Sequence, residues 1–428
     1  MNDFLFWGFP DTSPPQFALD ALKETINGDP FIHQYTRTSG HPALCRELAS
    51  RYSNHLGRDI DWEKNVAVTV GASQALYMGL QTVVRPGDEV IVFEPYFDLY
   101  LNQIRLAGGV PVPVPLKFVP YPDSPSSYSG SWELDLPALQ SAITPKTAAV
   151  VLNSPHNPTG KVFTGEEMTS IADCIRPHDK IKVLSDEVYK FIIHSPPKET
   201  SFETTVPGHV HFASLPGMYD RTLTISSAGK TFSATGWQVG WMVGPESLVG
   251  AVQQMLPYVQ FCANSVCQEA LAGALRKAEE PYMGHENYYA WLNSEYREKR
   301  DFLVKALQGA GFETPDYSRT AGGGFFIMAG ITPAVESRVP QGRVGEVNES
   351  APTGKVRLDW AMCEHMVREE GVGMIPSSPF FSEERVKDGR SDRFVRVAFC
   401  KRREVIEGAG RALLCDGGRK EDCEVEGL

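Results

Sequence analysis

Five short apolar runs, each closed by a polar or Pro/Gly loop, recur between residues 65 and 226 and restrict the architectures open to this chain. They read NVAVTV (65–70), EVIVFEP (89–95), TAAVVLN (147–153), KIKVLSD (180–186) and RTLTIS (221–226). Runs this short, rich in Val, Ile, Leu and Thr, predict central strands. After the first run, apolar residues return at Ala72, Ala75, Leu76, Gly79, Leu80 and Val83, a helical spacing, with Gly71 as the turn. Between two later runs, Thr164 and Glu167 have the spacing of a capping box that opens a helix. Strand, helix, strand in this order predicts a mostly parallel sheet flanked by helices, over residues 35–290.

The pattern changes after residue 290. NSEYREKRDFLVKALQGAG (293–311) predicts a long charged helix stopped by Gly309 and Gly311. GGGFFIMAGI (322–331) and FVRVAF (394–399) predict strands of a smaller α+β C-terminal domain, 291–428. Residues 332–356 read as a loop or insertion, and the polar tail from Cys415 as frayed. Residues 1–34 read as an N-terminal arm and a segment of the small domain.

The 428 residues, 42% of them hydrophobic, give ample core, and a net charge of -12 argues against nucleic acid or an anionic membrane as partner. No apolar run reaches the roughly 18 residues that span a bilayer. The start, MNDFLFWGFPDTSPP, lacks the basic and apolar regions of a signal peptide. Eight scattered cysteines without a C-x-x-C pair suit reduced thiols in a cytoplasmic setting, and no metal is expected.

Ligands of parallel sheets bind beyond the carboxyl ends of the strands, where this sequence repeatedly sets polar groups. Gly71, Ala72 and Ser73 open a helix and suit a phosphate; Asn157 lies in NSPHNPTG, Asp186 and Tyr189 in SDEVY, Ser226, Ser227 and Lys230 in SSAGK. Each has an ordinary structural reading: a solvated lysine, a helix-capping aspartate, a turn asparagine, a core tyrosine. Together, a carboxylate, an amide, a phenol and a lysine beside a phosphate cradle suit pyridoxal phosphate chemistry, in which the lysine condenses with the cofactor aldehyde.

The motifs NSPHNPTGKVF, SDEVYKF and SSAGKTFSATGWQVGW, with GFPD, QYTRTSGHP, EPYFDLY, SLPGMYDRTLTI and FVRVAFCK, resemble fold-type I pyridoxal 5'-phosphate-dependent aminotransferases of classes I and II. The resemblance runs from about Gly8 to Lys401. It is strongest toward the branch that holds kynurenine aminotransferases, glutamine transaminase K and cysteine-conjugate β-lyases. It implies a homodimer moving an amino group from an aromatic or glutamine-like amino acid, kynurenine foremost, to a 2-oxo acid. A β-lyase on the same fold and a non-catalytic metabolite-binding protein are the alternatives.

By the same resemblance Lys230 is the cofactor lysine and proton carrier, Asp186 the partner of the ring nitrogen, and Tyr189 and Asn157 donors to the ring oxygen. Phe97 would stack on the ring, and Ala72, Ser73 and Ser227 would hold the phosphate. Arg396 and Asn157 would meet the substrate carboxylate, and Gly8 would offer a backbone contact. Tyr35, at the phosphate, and Phe261, in the substrate pocket, would come from the other subunit. Gln238 stands where the family usually places a basic residue on the phosphate, Cys262 where it has a pocket histidine, and Ser73 where a tyrosine is common. Relatives have a longer arm before GFPD, so an organelle form with a transit peptide is the alternative to a cytoplasmic one.

Overall fold

In the computed structural model, residues 3–4, 8–123, 129–195, 206–348, 354–389 and 391–414 are described. The strands are β1 (Asp3–Phe4), β2 (Val66–Val70), β3 (Glu89–Glu94), β4 (Val110–Pro120), β5 (Gly130–Leu134), β6 (Thr147–Asn153) and β7 (Lys182–Asp186). They continue as β8 (Thr222–Ser227), β9 (Val239–Val243), β10 (Phe326–Gly330), β11 (Val372–Gly373), β12 (Ile375–Pro376) and β13 (Phe394–Ala398). Eight form one sheet in the order β2-β9-β8-β7-β6-β3-β4-β5. Its centre, β8-β7-β6-β3-β4, is parallel; β9 runs antiparallel to both β8 and β2, and β5 is antiparallel to β4. Strands β6 and β8 are buried along their whole length, which is why their sequences are continuous rather than alternating.

All five apolar runs form strands, but the sheet also contains β4, β5 and β9, which the sequence reading did not anticipate. Strand β4 reads VPVPVPLKFVP, and proline inside a run argues against a strand because it lacks an N-H. Here Pro111, Pro113 and Pro115 alternate, so their missing donors share one edge, while residues 110–115 pair with β3 on the other. The antiparallel partner β5 begins only at Leu116, beyond those prolines. The chain tolerates three prolines because it changes partner halfway.

A helix, Gly71–Val83, springs directly from β2, and Gly165–Ile175 carries the full capping box between Thr164 and Glu167. The long charged helix runs Tyr288–Gly309, starting earlier than its sequence suggested because the Asn287 side chain accepts from Ala290 N and caps it. It packs against the helix Arg403–Leu414 beside a three-stranded antiparallel sheet, β10-β13-β12. Strand β1 joins β11, so the start of the chain is stitched to its C-terminal part. Of residues 332–356, Pro333–Glu336 is one turn of helix and the rest of the described part is loop; the expected frayed tail lies outside the described residues. No helix among the described residues is long and apolar enough to cross a membrane.

Candidate active site

The carboxyl ends of β6, β7 and β8 meet the start of the helix Gly71–Val83 around a cavity of about 570 Å³. Each functional side chain is delivered by the residue at which a strand stops. Asp186 is the last residue of β7, Asn157 lies in the turn after β6, and Lys230 sits in the helix Ala228–Thr231 that follows β8. Asn153 locks two of these ends together. Its amide donates to Asp186 O (3.0 Å), and its oxygen accepts from Asn157 N (2.7 Å). The third lobe of the wall comes from β13, which contributes Arg396.

Asp186 lies under the cavity, buried, and accepts from the Tyr100 hydroxyl at 2.7 Å and from Val188 N at 3.3 Å. Burial pushes its carboxyl up to about 6, against those two hydrogen bonds. Among the described residues no cationic side chain stands within salt-bridge distance of it, so this carboxylate faces the cavity with its charge uncompensated by an ion pair. Burial lowers the Lys230 ammonium below its ordinary value. Its Nζ donates to Gly8 O at 2.8 Å. Burial likewise lowers Arg396, to about 10, so it remains a cation at neutral pH. Its Nη1 donates to Asn157 Oδ1 (2.9 Å), and its guanidinium lies 4.5 and 4.9 Å from the ring centroids of Phe326 and Phe380.

At the opposite end, Gly71, Ala72 and Ser73 form the first turn of a helix and line the cavity, with Ser227 beside them. This approach depends on glycine. Gly71 has φ +71°, and a Cβ on Gly240 would lie 2.3 Å from the Gly71 carbonyl carbon. Gln238 lines the same end in a left-handed conformation (φ 51°), and its amide donates to Thr235 O at 2.6 Å.

A strap runs across the mouth. Besides Gly8 O on Lys230, Phe9 O accepts from Lys401 Nζ at 2.8 Å, with that ammonium 4.5 Å from the Phe9 ring centroid. Asp11 accepts from Arg402 N at 2.6 Å, and the Thr12 and Ser233 hydroxyls are 3.1 Å apart.

Of the residues singled out in the sequence, Gly8, Ala72, Ser73, Phe97, Asn157, Asp186, Tyr189, Ser227, Lys230, Gln238 and Arg396 line this one cavity. Tyr35 and Phe261 do not. They meet each other edge to face at 4.8 Å on the exterior, 80% and 52% exposed. The sequence reading passed over Tyr100, Asn153, Phe380 and Lys401. Tyr100 had a signal: it follows Phe97 by three residues in EPYFDLY, one helical turn on.

The donor set fits pyridoxal phosphate. A buried carboxylate lacking an ion pair suits a protonated ring nitrogen, a lysine with a lowered pKa suits an aldehyde, and a helix start with a glycine-enabled close approach suits a phosphate.

A family model for aminotransferase classes I and II matches residues 5–411. A kynurenine--oxoglutarate transaminase of Dictyostelium discoideum is 38% identical over 419 residues, covering 95% of this chain and 89% of its own. The human kynurenine--oxoglutarate transaminase 1 is 35% identical over 408 residues, with 95% and 90% covered. In three dimensions, N-succinyldiaminopimelate aminotransferase from Mycobacterium tuberculosis superposes with a TM-score of 0.78 at 31% identity, over 96% of this chain and 93% of that one.

Proposed function

The chain belongs to the class I and II aminotransferases and is a pyridoxal phosphate-dependent transaminase, and we propose that its amino donor is an aromatic amino acid, kynurenine first, and its acceptor a 2-oxo acid. The observation that carries this reading is the single cavity that joins Lys230, Asp186 and Arg396 to the aromatic walls Phe9, Phe97, Phe326 and Phe380. The likeness to kynurenine transaminases over nearly the whole chain supports the donor.

The cofactor supplies an electron sink for the pair left when the substrate α-carbon gives up its proton. This chain's residues do the rest. Lys230 Nζ, its pKa lowered by burial, would be the base that takes the substrate α-proton and holds it for return. Asp186 would hold the proton on the ring nitrogen, and the Tyr100 hydroxyl favours the charged carboxylate for that task. Tyr189 and Asn157 would hydrogen-bond the ring oxygen, Phe97 would cover the ring face, and Ala72, Ser73, Ser227 and Gln238 would hold the phosphate. Arg396, preset by Asn157 and sandwiched by two rings, takes the substrate carboxylate with its planar fork. Gly8 contributes its backbone at the mouth.

We further take the working unit to be a cytoplasmic homodimer. Phe31, Tyr35, Tyr258 and Phe261 are large, exposed side chains whose burial a second copy would achieve. The six described cysteines are free thiols, as suits a reducing compartment.

The test is to load purified protein with the cofactor and supply kynurenine, phenylalanine, glutamine or a cysteine S-conjugate, each with and without several 2-oxo acids. Amino transfer from kynurenine that requires an oxo acid is the expected result. No transfer from kynurenine while another donor reacts would refute the donor. Pyruvate released from the conjugate without an oxo acid would indicate a lyase.

A further inference from the structure

Behind the sheet end that carries Asp186, and pointing away from the cavity, three ligating side chains converge. Glu187 follows β7, and His209 and His211 sit on the returning segment before Phe212. All three are buried, and one donor atom from each lies within 4.8 Å of the others. Glu187 Oε2 is their common point. His209 Nε2 stands 3.2 Å from it and His211 Nδ1 2.6 Å, with the two rings nearly perpendicular (88°). From this convergence we propose a divalent transition-metal site of the zinc class on Glu187, His209 and His211.

The chemistry of the group favours a cation over a purely internal hydrogen-bond network. Although it lies close to the carboxylate, neither ring nitrogen of His209 makes a hydrogen bond to a described residue, and both are fully buried. A buried imidazole whose Nε2 meets a carboxylate 3.2 Å away without hydrogen-bond alignment is costly unless a ligand engages it. Two imidazoles and a carboxylate are a common zinc set, with a fourth position left for water. The other carboxylate oxygen is already fixed by the Ser185 hydroxyl at 2.9 Å.

The ligands need a local adjustment, since the two imidazole nitrogens are held only within 4.8 Å of each other. Bonds of about 2.0–2.1 Å at tetrahedral angles set donors roughly 3.3 Å apart. The Glu187–His209 separation already matches, and the Glu187–His211 pair must open by about 0.7 Å on the same arithmetic. The neighbouring Lys190 does not occupy the site. Its Nζ is spent on the Tyr52 hydroxyl at 2.7 Å. His55, stacked 5.0 Å from His211, closes the far side. Such an ion would staple the segment returning at Val206 to the end of β7 and stabilise the fold without entering the reaction. Cysteine spacing gives no hint of it, because no thiol takes part.

The test uses the cofactor-loaded enzyme, stripped of metal by a chelator and titrated with Zn²⁺ by calorimetry, and with Co²⁺ by visible absorption. One equivalent per chain is expected, with a tetrahedral cobalt spectrum that has no thiolate charge-transfer band. The thermal midpoint should rise on zinc addition. His209→Gln and His211→Gln, of similar volume, should each weaken binding by about 100-fold and abolish the rise. Absence of stoichiometric binding by the wild type, a thiolate band, or unchanged affinity in both variants would overturn the site. Should either variant fail to fold, anomalous scattering at the zinc edge from soaked wild-type crystals decides: a peak among the three donors supports the site, and its absence refutes it.

Discussion

Replacing Asp186 by Asn tests whether this carboxylate is held at a cost to the fold. Its pKa stands at about 6 in the folded chain against 3.8 for an ordinary aspartate. Because the folded value is the higher, the folded state binds the proton more tightly than the unfolded one between those two values. Stability must therefore fall as pH rises through that window, and the whole penalty is present above it. The full shift corresponds to about 3 kcal/mol, of which about 2 kcal/mol accrue between about pH 4.5 and 7.5. Asn has the same shape and does not titrate. Any change in packing is independent of pH, and the Tyr100 bond to the charged carboxylate is already contained in the value of about 6, so only the titration of Asp186 contributes to the slope of the difference. Denaturant unfolding of cofactor-free wild type and Asp186→Asn across that range should show the variant gaining about 2 kcal/mol relative to wild type as pH rises. Cofactor affinity should move the opposite way, because the ring nitrogen loses its counter-charge. A difference that stays flat with pH would mean that water already solvates the carboxylate and that its burial carries no penalty.

Three further outcomes follow from the same geometry. Tyr100→Phe removes a charge-assisted bond of roughly 1.5–3 kcal/mol, so the pH-dependent limb of that stability difference should move up by about 1 unit or more; an unmoved limb would deny the bond any role. Gln238→Arg, which sets a cation at the helix start, should tighten the cofactor roughly tenfold in dissociation constant at fixed salt with turnover at saturation unchanged, and no tightening would place another cation there. Lys230→Ala chains mixed with Tyr35→Phe, Phe261→Ala chains should regain roughly a quarter of wild-type activity, since half the random dimers carry one intact site. Zero activity despite proven subunit exchange would rule out shared sites.

The central strands were legible because burial on both faces erases alternation and leaves unmistakable apolar runs. Strand β9 was not, since Val239–Val243 mixes Gly, Trp and Met inside a segment that reads as a cofactor motif. Strand β4 hid behind its prolines, whose harmlessness depends on a change of partner that only the assembled sheet reveals. Within the site, residues at strand ends announced themselves by being polar where an apolar run stops. Tyr100, Asn153 and Lys401 act by holding other groups, and a supporting residue has no pattern of its own until its neighbour's position is known. Tyr35 and Phe261 form an exterior pair that a single chain leaves outside the cavity.

The strap across the mouth has a bearing on how the enzyme is loaded. The amine of Lys230 rests on the carbonyl of residue 8, so one of its N-H groups ties down this segment. A neutral amine still donates, but condensation with an aldehyde would carry both remaining N-H hydrogens off as water, and the carbonyl would then lose its donor. The neighbouring ties of Phe9 to Lys401 and Asp11 to Arg402 do not depend on the cofactor. Residue 8 would thus be released while residues 9–11 stay clamped, and the freed backbone would be left facing the space where the amino acid enters.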